Sequence, residues 1–294
     1  LADLGCKKIH FSGGEALLRP RLVELVERTS THGIRVTLTT NGTLVDKERA
    51  KALVQAGLRG VNISIDAPRR KLHDQIRGVP GSWKKACQAV RYFRRYAHKG
   101  KLTIRINTVV SHLNYLSLVD MPQLAFDLGA DHLNLIAVDD HCGEHLSLSR
   151  RHIDLYNTQI APYLAESALR LGLISHQDRA YIFGKTPVAM KQARRGEYAY
   201  GWYEQHPCFA PWTHTLIDFN GLVYVCCMTR EQIQPLGDLR SQSFAEIWHG
   251  AAYHKVRGKM FPARLDACRR CDDFIEQNRH LYDLLQKKQT EKDA

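Results

Sequence analysis

Short apolar runs with strand character recur along the first half of the chain, each followed by a stretch of helical period. Lys8-Ile9-His10-Phe11 alternates and stops at Gly13-Gly14. Leu22, Val23, Leu25 and Val26 then fall at helical spacing, closed by His32-Gly33. Val36 to Thr39 reads as a strand ended by Asn41-Gly42, and Asp46 is placed to cap a helix carrying Ala50, Leu53, Val54 and Ala56. Val61 to Ile65 is the next strand. Ser82 opens a helix through Ala86, Ala89, Val90 and Phe93. Leu102 to Ile106, a helix over 116–128, and a strand over His132 to Ile136 complete the series.

Strands alternating with helices of this length predict a parallel sheet with right-handed crossovers. Five such units without a Gly-x-Gly-x-x-Gly turn point to a barrel or partial barrel rather than a dinucleotide fold. The polar residues are concentrated late in the strands or just past them: Ser12 to Glu15, Thr39 to Asn41, Ser64 with Asp66, and Arg105 with Asn107. In a β/α barrel that end of the strands is where ligands bind.

The second half has a different pattern. His145 to Leu171 reads as one long amphipathic helix, and the stretch to 206 is mostly helical. Tyr198, Tyr200, Trp202 and Tyr203 crowd before Cys208, as packing residues or as the lining of a substrate path. Thr215 to Phe219 and Leu222 to Val225 flank Asn220-Gly221, which predicts a two-residue hairpin turn with both residues at positive φ. Ser243 to Glu246 is a capping box that opens a helix with Ile247 and Trp248.

Bulk composition narrows the function classes. The chain has 294 residues, 44% of them hydrophobic, with no apolar run of membrane-span length and no signal peptide. It starts at Leu1 rather than Met, as a piece of something longer would. Its net charge of +12 allows an anionic partner, but the basic pairs are scattered beside helix faces and read as solvated surface.

Eight cysteines without a secretion signal argue for a reducing, cytoplasmic setting and against a disulfide framework. Cys6, Cys87 and Cys142 are isolated and read as small buried residues. The other five lie between 208 and 271. Cys268-x-x-Cys271 turns two thiolates toward one centre, and Cys208 with Cys226 completes four metal ligands. Cys227 is a spare beside Cys226, which is the favoured ligand. Four sulfurs accept zinc as well as iron, so the residues alone leave open a zinc-stabilised structural or nucleic-acid-binding protein.

Taken together, these motifs resemble the radical S-adenosylmethionine family, and within it the members with a C-terminal SPASM or twitch domain. The resemblance rests on Phe11-Ser-Gly-Gly-Glu15, Thr39-Thr-Asn-Gly42, Ser64-Ile-Asp-Ala-Pro68 and His73 to Gly78. In the second half it rests on the spacing of Cys208, Gly221 and Cys226, on Gly237-Asp238, and on Cys268-x-x-Cys271.

It implies an α/β fold: a partial (β/α)6 TIM-like parallel barrel lacking its first strand, plus a small α+β C-terminal domain with a β-hairpin. The implied divisions are 1–145 for the core, 146–205 for a helical connector, 206–280 for the auxiliary-cluster domain and 281–294 for a polar helix or tail. It also implies S-adenosyl-L-methionine and a 4Fe–4S cluster as cofactors, a peptide or small-molecule substrate, and an electron donor such as flavodoxin or ferredoxin.

By the same resemblance Gly13, Gly14 and Glu15 hold the cofactor ammonium. Ser64 and Asp66 contact ribose or carboxylate, and Arg77 or Arg105 pairs the methionine carboxylate. Thr39 and Asn41 are weaker candidates on that rim. Two departures stand out. The family's Cys-x-x-x-Cys-x-x-Cys loop is absent, which places it upstream or marks a degenerate relative. The further cysteines of a full SPASM domain are also absent after Cys271, which leaves one auxiliary cluster. The fragment alone is expected to be inactive in cofactor cleavage.

Overall fold

The structure, a computed structural model, describes every residue except 98, 99, 141, 142, 144, 231, 264, 273 and 294. It divides into two compact units, Leu1–Lys185 and Thr186–Ala294.

The first unit is built on five parallel strands: β1 (Lys8–Phe11), β2 (Arg35–Thr40), β3 (Leu58–Ser64), β4 (Thr103–Val110) and β5 (His132–Ala137). Their spatial order is their chain order. Each crossover therefore moves one strand in the same direction. Right-handed crossovers then place every connecting helix on one face of the sheet.

Those helices are α1 (Leu22–Thr31), α2 (Lys47–Gln55), α3 (Arg70–Arg77), α4 (Ser82–Tyr96) and α5 (Met121–Leu128). α1, α2, α4 and α5 touch the sheet and touch one another in sequence order, as a single layer must. Residues paired across parallel strands share a face. The face under the helices carries Leu38, Val61 and Ile104 in one row and Ile63, Ile106 and Leu133 in the next, all buried. The opposite face carries Thr39, Asn62, Arg105 and His132 in one row and Ser64, Asn107 and Asn134 in another.

Local signals hold the layer in place. Asp46 Oδ1 accepts from Arg49 N–H at 2.7 Å and caps α2. α4 starts at Gly81 without a cap of its own. Asp74 of α3 fills that role from outside, accepting from the N–H groups of Gly81 (2.7 Å) and Trp83 (2.8 Å) and from the Ser82 hydroxyl (3.0 Å). Gly42 has φ +77°, and a Cβ there would stand 2.9 Å from Ala86 Cα of α4. A glycine is required where that loop crosses the helix.

Three local expectations are corrected. Only Met121–Leu128 of the 116–128 segment is α-helical. Tyr115–Asp120 is a 3-10 helix, with Pro122 starting the α-helix. The long helix begins at Arg150, where the Ser149 side chain caps it, and runs as α6 (Arg150–Leu155), a π-helical stretch (Tyr156–Ile160) and α7 (Ala161–Arg170). Pro162 lacks the N–H that an unbroken helix would use, and its ring crowds the preceding turn. Cys6 is half-buried, Cys87 is buried, and Cys142 lies outside the described residues.

The second unit holds a three-stranded antiparallel sheet, β6 (Leu216–Ile217), β7 (Leu222–Tyr224) and β8 (Gly237–Asp238). The β6–β7 turn is not the two-residue form. Gly221 N–H donates to Asp218 O and Asp218 N–H to Leu222 O, leaving a three-residue loop in which Gly221 alone takes positive φ. Asn-Gly serves here as the end of a type I turn with a glycine bulge. The capping box forms as expected, with Ser243 N–H to Glu246 Oε2 at 2.7 Å. Among the described residues no helix is long and apolar enough to cross a membrane.

Gly42→Ala tests the close crossing over α4. Added volume against backbone, at positive φ, should cost about 1–3 kcal/mol. The urea midpoint should fall while the slope of the transition is unchanged.

Candidate functional site

Helices fill one face of the parallel sheet, so its polar face and strand ends are left for ligands. At the end of β1 the chain turns through Gly13, whose φ of +135° favours glycine. No atom lies within 4 Å of where a Cβ would sit on Gly13 or Gly14, so the turn borders an open notch. Glu15 follows directly. Its Oε1 accepts from Leu17 N–H (3.0 Å) and the Thr40 hydroxyl (2.8 Å), and its Oε2 from Asn41 N–H (2.7 Å). The carboxylate thus ties the end of β1 to the end of β2. Three acceptor positions are used, and a carboxylate has about four, so one remains for a cation. The Asn41 side chain turns away into its own loop, accepting from Thr43 N–H and hydroxyl.

Past β3, Asp66 is 2% exposed and forms a lock rather than an open ligand. Its Oδ2 pairs with Arg77 Nε at 2.6 Å and its Oδ1 accepts from Val109 N–H at 2.9 Å. Its own N–H donates to His73 Nδ1 (3.1 Å), and its carbonyl accepts from the Asn114 amide (2.7 Å). The sequence candidates Asp66 and Arg77 therefore meet each other. Burial, outweighing the pull of Asp66, holds the buried His73 below the usual imidazole range, with Arg77 adding to the depression. The lock needs that neutral ring, because its Nδ1 is an acceptor.

The remaining candidates line the polar face. Ser64 is half-buried, at the last position of β3. Thr39 Oγ1 lies 2.9 Å from His10 Nε2 and 3.2 Å from Asn62 Nδ2. Arg105 is half-buried beside Asn62 and His132, several residues below the rim, and burial followed by Arg179 lowers its pKa. Arg77 stands at the rim and Arg105 on the floor. His10, Asn62, Asn134, His73 and Asn114 were missed as functional candidates, while Asn107 was already among the polar strand residues singled out. For the strand residues the signal was present as polar residues at every second position. For His73 and Asn114 nothing local marks their partners.

The cysteines of the second unit form a separate centre. Cys208, Cys226, Cys268 and Cys271 are all buried and share one core cluster with Ala199, Tyr203, Val225 and Met260, while Cys227 is exposed. Burial raises the Cys208 thiol, with Cys226 adding to it. Burial, Cys208 and Cys226 push Cys268 up to about 12. A donor set of four soft, crowded thiols fits a cationic cluster that would hold them as thiolates. Among the described residues no three His, Cys, Asp or Glu side chains converge on a point fit for a single metal ion.

The Asp66 lock carries a pH signature. With its folded pKa depressed, His73 contributes stability above about pH 6.5, the unfolded value, and loses it as pH falls below that. Urea midpoints measured from pH 7.5 to 5 should drop more steeply in the wild type than in His73→Gln. Equal slopes would remove His73 from the lock.

Known proteins match both units. Residues 1–121 match the Radical SAM superfamily model and residues 208–272 the SPASM model, an iron–sulfur cluster-binding domain. The chain is 35% identical over 130 residues to an AdoMet-dependent heme synthase of Methanosarcina barkeri, a match covering 44% of this chain and 36% of the relative. It thus spans about a third of that protein. It is 27% identical to the Fe-coproporphyrin III synthase of the same organism over 92% of this chain and 70% of the relative. The solved structure of native anSMEcpe with bound AdoMet and Cp18Cys peptide shares the fold, with TM-score 0.60, 19% identity, and coverage of 92% of this chain and 74% of that one. The polar face of the parallel sheet thus lies in a region that matches the Radical SAM superfamily, and the buried four-cysteine centre in one that matches the SPASM iron–sulfur cluster-binding domain.

Proposed function

We propose that this chain is the cofactor-binding and auxiliary-cluster part of an enzyme that cleaves S-adenosylmethionine reductively and abstracts hydrogen from a peptide or small-molecule substrate. The observation that carries the reading is the joint presence of an open glycine notch backed by a tethered carboxylate and a buried set of four thiols. The electron that splits the cofactor's C–S bond would come from the cluster held by the family's cysteine triplet, and the four cysteines of this chain would hold a second, auxiliary cluster.

The chain's own residues have distinct tasks. Gly13 and Gly14 let the cofactor approach the backbone, and Glu15 presents its remaining acceptor position to the ammonium. Glu15 does this from a fixed position, because Thr40 and the Asn41 N–H hold it. Ser64 offers a hydroxyl toward ribose or carboxylate. Arg77 stands at the same rim, ion-paired with Asp66. Among the two arginines we assign Arg77 to the methionine carboxylate. Arg105, deeper on the polar face, falls to the substrate side. Asp66 acts through Arg77 as a positioning residue, and Cys208, Cys226, Cys268 and Cys271 hold the auxiliary cluster. A relative that makes Fe-coproporphyrin III and a neighbour that binds a peptide both suit a polar face with room for a large molecule.

The test uses oxygen-free protein that contains this chain together with the family's cysteine triplet. With reductant it should form 5′-deoxyadenosine, and none would overturn the proposal. Glu15→Gln should weaken S-adenosylmethionine binding by about tenfold or more, since one charged hydrogen bond is worth roughly 1.5–3 kcal/mol. Cys268→Ala should lower bound iron by about four per chain. Unchanged affinity or unchanged iron would remove the corresponding residue from its site.

A further inference from the structure

Two residues beside the four cysteines form a buried polar network with no task in the reading above. Asn278, on the C-terminal helix Ile275–Asp293, is 2% exposed, as is Tyr203. Asn278 Oδ1 accepts from Phe209 N–H at 2.7 Å. That contact fixes the amide's orientation and points its NH₂ the other way, where it meets Tyr203 Oη at 2.8 Å and Cys208 Sγ at 3.8 Å. Tyr203 lies in the same buried cluster as Cys208 and Cys271.

Accounting for the protons gives the network a direction. Asn278 has two N–H donors: one goes to the Tyr203 oxygen and the other faces Cys208. The Tyr203 oxygen already accepts from Asn278, which leaves its own proton for another acceptor in a buried cluster that contains the four cysteines. A neutral thiol is a weak acceptor and would repay two buried donors poorly. A thiolate is a charged acceptor and satisfies both. The donors are therefore arranged for cysteines in the form that ligates iron.

We propose that Asn278 and Tyr203 are positioning residues that donate hydrogen bonds to the thiolates of Cys208 and Cys271 and raise the reduction potential of the cluster those thiolates hold. The proposal rests on the iron–sulfur reading of the four cysteines. One-electron reduction places added negative charge partly on the ligand sulfurs. Fixed donors stabilise the reduced form more than the oxidised one. Tyr203 lies five residues before Cys208 and Asn278 seven after Cys271, so the ligand-bearing segments supply their own tuning groups.

The experiment is a dithionite titration of this chain after oxygen-free reconstitution, followed by electron paramagnetic resonance, with iron and sulfide counted on the same sample. Tyr203→Phe removes the hydroxyl and keeps the ring. It should load the same iron and sulfide as wild type, with a midpoint potential displaced to more negative values. Asn278→Leu should move the potential in the same direction. If Asn278→Leu does not load, Tyr203→Phe decides the matter alone. A fully loaded Tyr203→Phe with the wild-type potential would overturn the inference. Wild-type chain that takes up no iron or sulfide would instead overturn the reading of the cysteines on which it rests.

Discussion

The constraint on which the first unit depends is the agreement between strand order and crossover hand. When strands are laid down one beside the next and every crossover is right-handed, the helices must share one face. The sheet then cannot be apolar on both sides. Leu38, Val61, Ile63, Ile104 and Ile106 are buried under helices, while Thr39, Asn62, Ser64, Arg105 and Asn107 alternate with them on the side no connecting helix covers. A doubly wound sheet would bury both faces and could not accommodate Arg105 and Asn107 in mid-strand. The polar face is thus a consequence of topology.

A second theme is how the strand ends are fixed. Glu15 joins the ends of β1 and β2, and Asp66 joins the segment after β3 to β4, His73 and Arg77. Both carboxylates are held by the protein through both of their oxygens. Such groups have less freedom to move when a cation arrives, which favours binding without reorganisation. At the cysteine centre Asn278 is held in the same way, accepting from Phe209 N–H and donating to Tyr203 while its amide faces Cys208 Sγ.

What could be read from the chain was what is local in it. The Asp46 cap and the Ser243–Glu246 box are set by neighbours within a few residues and appear as expected, whereas β4, read as ending at Ile106, runs on to Val110 and places Arg105 and Asn107 in mid-strand. The parallel sheet was legible because apolar runs and helical stretches alternate in strict succession. What was not legible is set by distant partners. Nothing near Asp74 announces that it caps α4, nothing near Asn114 points to the Asp66 carbonyl, and Asn278 stands seventy residues from Cys208. Two of the local misreadings also have physical causes. Asn220-Gly221 satisfies a three-residue turn as well as a two-residue one, and Pro162 forces the helix before it to widen.

The central claim is that the bare, polar side of the sheet, and not the helical layer, receives the cofactor. Hydrogen–deuterium exchange of the iron-loaded protein, with and without S-adenosylmethionine, tests it most directly. The account predicts slowed exchange in the Gly13–Glu15 turn and in the segments that follow β2 and β3, with α1 and α2 unchanged. Protection confined to the helices, or absent from the Gly13–Glu15 turn at saturating cofactor, would contradict it.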